Sequence, residues 1–192
     1  MSSCDKDNYW DENNVGIGNG GVIMASPFYA EASIDGKKRE FKDGQDGYRN
    51  TFGSKGVSLD GFGTFLEKQK VAFDGSQNIT VYFMERFLDE PSNEDIKNMF
   101  RKGKYNFGNS NAGSSGVEIE YKDASGTVWS TSNGSGMQAG SSFEVINHYS
   151  NHFDTYTPYI TEAVFSCKLY DDNGNVMELN NGRVVARTVV TH

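Results

Sequence analysis

The chain has 192 residues and a formal net charge of −8, with 26 Asp and Glu against 18 scattered Lys and Arg. That balance, with no basic stripe, excludes nucleic acid as an expected partner, because a phosphate backbone needs a cationic face. No apolar run approaches the roughly 20 residues that cross a bilayer, and no hydrophobic signal region is present.

Residues 1–25 read as a flexible arm, and residues 26–192 as one antiparallel β domain. The arm contains Gly16, Gly18 and Gly21 in a GxGxxG spacing. A dinucleotide site needs a strand before that motif and a helix after it. Here an acidic tail precedes it and Val22-Ile23-Met24 follows, so it reads as linker.

From Pro27 onward, strand patterns dominate. Tyr29 to Phe41 reads as a hairpin turning at Asp35-Gly36. Val57–Leu59, Phe62–Leu66 and Val71–Phe73 read as short segments parted by Gly turns. Ile79 to Phe87 is a long strand, with Ile79, Val81 and Phe83 on one face and Glu85 at the sheet rim. A short helix follows: Ser92 caps it, Asp95 completes an acidic capping box, and Ile96, Met99 and Phe100 form its apolar face. Its expected role is to plug one end of the β structure. Val117, Ile119 and Tyr121 alternate with Glu118, Glu120 and Lys122, which predicts one buried and one wet face. In the last third, Ala163, Phe165, Cys167 and Leu169 share a face. Asn173-Gly174 and Asn181-Gly182 are strong hairpin signals and predict a three-stranded meander. The fold class is therefore all-β, an antiparallel β-sandwich with one short helix. A closed calycin-like β-barrel satisfies the same alternation.

The search for chemistry yields no catalytic residue, no metal site and no cofactor. His148 and His152 are four apart but lie among turn formers, with no third ligand near. Asp171-Asp172-Asn173-Gly174-Asn175 misplaces the glycine of a calcium loop and reads as a hairpin turn. Cys167 alternates with apolar residues, as a buried thiol does, and no GxSxG elbow is present. One segment stands out as a candidate ligand surface: His148, Tyr149, His152, Phe153, Tyr156 and Tyr159, set among Asn, Ser, Asp and Thr. It is expected as a loop at one end of the domain, where function concentrates. Aromatics with polar edges suit a glycan or peptide. The alternative is that the rings fold back as a local mini-core.

The front of the chain carries a resemblance. Ser2-Ser3-Cys4 resembles the end of a bacterial lipobox, with Met1 where that family usually has Leu. The acidic run Asp5, Lys6, Asp7, Asn8, Asp11 and Glu12 resembles the export tag of Bacteroidota surface lipoproteins. The chain thus reads as starting beside a processing point. The resemblance implies that Cys4 carries acyl chains and that the polar residues form a solvated spacer. The body also resembles small Bacteroidota lipoproteins of sandwich or calycin-like type. The stretches concerned are Lys102-Gly103-Lys104-Tyr105-Asn106-Phe107-Gly108, Gly116-Val117-Glu118-Ile119, Gly126-Thr127-Val128-Trp129, Ala163 to Tyr170, and Leu179 to Val184. This likeness implies a non-catalytic lipoprotein of the outer-membrane surface. It would be an accessory subunit of a starch-utilisation-type nutrient importer, or alternatively a free-standing glycan- or peptide-binding module.

Overall fold

The computed structural model describes residues 26–58, 65–109, 112–150 and 156–191. The expected arm, Cys4, His152 and Phe153 lie outside them. The first hairpin forms as its sequence demands: β1 (Tyr29–Ile34) and β2 (Lys37–Lys42) are joined through Asp35 and Gly36, both at positive φ. Such a pair matches the right-handed twist of the flanking strands. The free edge of β2 reads Lys-Lys-Arg-Glu-Phe-Lys, a charged border that discourages edge-to-edge pairing.

β3 (Arg49–Ser58) and β4 (Phe65–Asp74) are each ten residues long, so the short segments expected here are a correction. Gly53, Ser54 and Gly56 are poor strand formers, yet the ladder from Arg49↔Asp74 to Ser58↔Phe65 holds them extended. β5 (Asn78–Phe87) follows, then α1 (Asn93–Asn98), β6 (Gly103–Tyr105), β7 (Gly116–Lys122), β8 (Val128–Ser130), β9 (Ser142–Ser150), β10 (Tyr156–Tyr170) and β11 (Val176–Thr191). The capping box of α1 is complete: Ser92 Oγ accepts from the Asp95 N–H, and Asp95 Oδ2 accepts from the Ser92 N–H at 2.9 Å.

The described residues are all-β and mostly antiparallel, forming a single strongly curled sheet with one short helix. The path runs β2-β1-β11-β10-β8-β7-β5-β4-β3. The far edge of β10 is shared: Tyr159 to Ser166 pair with β9, and Tyr170 pairs with Ser130 of β8. β6 pairs with β9, and a parallel bridge from Phe107 to Val117 ties the end of β6 to β7. At the other side of the curl, the Arg187 N–H on β11 donates to Asn50 Oδ1 on β3 at 3.0 Å. The β3 margin of the sheet therefore curls back to meet β11 around one core.

The second Asn-Gly signal does not make a turn, which corrects the expected meander. β11 runs straight through Asn181 and Gly182. Asn181 has φ 53, but Gly182 is not at positive φ. A type I′ turn needs both. The ladder instead slips between Phe165 and Cys167, a bulge in which Ser166 Oγ accepts from the Asn181 N–H. A Cβ on Gly182 would enter the Phe165 ring.

Inward-facing Phe83, Phe100, Phe143 and Phe165 form the middle of the core, with Phe41, Tyr48 and Tyr121 further along. The outer face of β7 is less wet than its alternation suggests. Lys122 is exposed, but Glu118 is buried and accepts from Ser130 Oγ at 3.0 Å and Ser132 Oγ at 2.7 Å. Those charge-assisted bonds allow a carboxylate to leave water. Cys167 is buried in the core, and burial pushes its thiol far up, so it is a small hydrophobe rather than a nucleophile.

Candidate functional site

The segment expected as an end loop is mostly strand. His148 and Tyr149 belong to β9, and Tyr156 and Tyr159 to β10. Antiparallel pairing sets Thr161 opposite His148, Ile160 opposite Tyr149 and Tyr159 opposite Ser150. This register sorts the aromatic residues between two faces. Tyr149 points outward, with 58% of its surface exposed, while Tyr159 is buried at 2%.

Tyr159 therefore belongs to the core, as does the His148 ring in part. The helix end supplies the third ring. Phe100, fully buried, lies parallel to His148 (centroids 6.1 Å apart) and to Tyr159 (6.0 Å). His148 and Tyr159 are 5.3 Å apart at 14°. Phe100 also tilts against Phe83 at 4.8 Å, which joins the cluster to the main core. Sequence reasoning placed Phe100 on the apolar helix face but could not connect it to a histidine 48 positions later.

His148 is the chemically distinctive member. Its Nδ1 lies 3.4 Å from Thr161 Oγ1, and its buried Nε2 has no hydrogen-bond partner. It is the sole such buried side-chain nitrogen or oxygen among the described residues. Burial lowers its pKa first, and the nearby Lys97 and Lys102 lower it further. The ring is thus kept neutral in the fold. The unfolded chain takes up a proton near the ordinary value of 6.5, while the folded chain does so at lower pH. The unfolded state binds more protons in that window, so stability falls as pH falls through it and is unaffected above it. The expected result is a drop in Tm between about pH 7.5 and about pH 5, diminished in His148→Phe, which keeps a ring in the stack. Thermal melts at both pH values check this; equal drops in the two proteins would refute it.

No group of three or more His, Cys, Asp or Glu among the described residues could hold a metal ion. Asp171 accepts from the Asn173 and Asn175 N–H groups at 2.9 and 2.8 Å, so the acidic turn holds itself together. No protein family, curated protein or solved structure matches the chain. What the fold and its sites define is a class: an all-β, single-sheet protein with an aromatic plug beneath a helix end.

Proposed function

We propose that this chain is a non-catalytic lipoprotein of the outer-membrane surface, anchored through Cys4 and serving as an accessory subunit of a nutrient-importer assembly. The observation that carries the reading is Ser2-Ser3-Cys4 followed by Asp5, Asp7, Asp11 and Glu12, ahead of a β body whose first described strand starts at Tyr29. A polar, acidic spacer between lipid and sheet keeps the body clear of the bilayer. Several acyl chains on one residue anchor stably where a single chain is marginal. No helix among the described residues is long and apolar enough to cross a membrane.

The test is direct. Protein from native membranes should carry acyl mass on Cys4, and Cys4→Ala should move most of it to the soluble fraction. An unmodified Cys4 in protein that still sediments with membranes would end the proposal. Extraction in mild detergent should also bring a large membrane partner along. A second reading, a free-standing glycan- or peptide-binding module, is favoured by the exposure of Tyr149, a ring with a polar tip at a hairpin end.

A further inference from the structure

The Lys and Arg residues look scattered in sequence, but the fold gathers several at the helix end. Arg86 lies one residue before the end of β5, Arg101 and Lys102 follow α1, and Lys104 lies on β6. All four are exposed, and none makes an ion pair among the described residues. Glu85 and Asp95 line the clefts beside these four, and Glu144 sits opposite Lys104 in the β6–β9 ladder. The cationic excess therefore lies where Arg101, Lys102 and Lys104 face Glu85, and it draws an anion in a chain with 26 acidic side chains.

The cluster surrounds two clefts of about 360 and 210 Å³, which share Glu85, Arg101 and Tyr105. The larger falls within the range of small-ligand sites, about 300–1,000 Å³. Tyr105 is a fixed wall between them. Its hydroxyl donates to the Arg101 carbonyl at 2.6 Å, with the Met99 carbonyl at 3.1 Å, and its ring packs edge-on against Phe83. This ties the arginine's backbone to the core, so the cation is presented from a rigid base.

We propose that these clefts bind an acidic saccharide, with Arg101 and Lys104 taking its carboxylate or sulfate and Glu85, Asn98 and Asn106 taking its hydroxyls. The mixture of groups selects the class. Cations alone would suit any polyanion. Glu85 in the shared wall and Asp95 in the larger cleft repel a continuous run of phosphates, Glu85 accepts from sugar hydroxyls, and the two amides can donate and accept. Guanidinium against carboxylate or sulfate supplies the charge-assisted bonds. The inference rests on the second reading above, that the body is a binding module.

Titration calorimetry on the full chain tests it, with digalacturonate and a sulfated disaccharide as probes and neutral galactobiose as comparison. At least one acidic sugar should bind. Affinity should fall about tenfold or more in Arg101→Gln/Lys104→Gln, the loss of charge-assisted bonds to one anion. It should also weaken between about 50 mM and about 500 mM salt. Galactobiose should bind at least about tenfold more weakly, and Lys37→Gln on β2, which lines neither cleft, should leave binding unchanged. The proposal is overturned if neither acidic sugar binds, if the double variant binds as well as the parent, or if a polyglutamate peptide binds as tightly. Membrane attachment through Cys4 is scored separately, so a failure here leaves the anchor reading standing.

Discussion

Phe100→Ala should destabilise the protein by about 3–5 kcal/mol, the range for removing a buried phenyl ring. Native domains hold only about 5–15 kcal/mol in total, so this one change takes a large share. The ring is fully buried and touches three partners from three strands: Phe83 on β5, His148 on β9 and Tyr159 on β10. Those strands cannot close over the vacated space without breaking their own ladders, so the cavity term persists. Leu88, two residues after Arg86, is a control of the same chemistry: it is 84% exposed, and Leu88→Ala should stay within about 0.5 kcal/mol. Urea denaturation of both variants checks the contrast. Equal losses would mean that the helix end is not part of the core.

Gly116→Ala should cost about 3 kcal/mol or more and also disturb the smaller cationic cleft, which Gly116 lines. Gly116 has φ +133, a conformation that side chains rarely adopt. A Cβ there would collide with the Asn106 carbonyl and come within 2.9 Å of the Gly108 nitrogen. Both groups are in use: the Val117 N–H donates to the Asn106 carbonyl at 2.9 Å, and the Gly108 N–H donates to the Val117 carbonyl at 2.8 Å. These two bonds fasten the end of β6 to β7, so the substitution adds strain and weakens the fastening together. Gly47 separates the two costs. It has φ +80 but nothing within 4 Å of its would-be Cβ, so Gly47→Ala should cost only about 1 kcal/mol. If Gly116→Ala melted like Gly47→Ala, the steric argument would be wrong.

The site residues show how differently local and long-range information reach the sequence. The Ser92 cap was readable because its partner lies three positions away. The Asp35-Gly36 turn was readable because the signal sits in two adjacent residues. Asn181-Gly182 carried the same signal and failed, because the Phe165↔Gly182 pairing favours continued strand over a turn. Tyr149 and Tyr159 looked alike as aromatic loop residues. Only the pairing of β9 with β10 decides that one faces water and the other stacks on His148. Phe100 is expected on the apolar face of a helix that plugs the β structure and is fully buried, but its partners come from strands 17 to 59 positions distant.

By itself, the sequence determined the all-β class, the helix and its cap, the first hairpin and the inward faces of β5, β7 and β10. Each is written in residues close along the chain, through a period of two or a cap three positions apart. The tertiary structure decided the curl of the sheet, the bulge in β11, the burial of Tyr159 and the gathering of Arg86 with Arg101, Lys102 and Lys104. These depend on which strands meet and in what register, a choice made by the whole core and by no single segment.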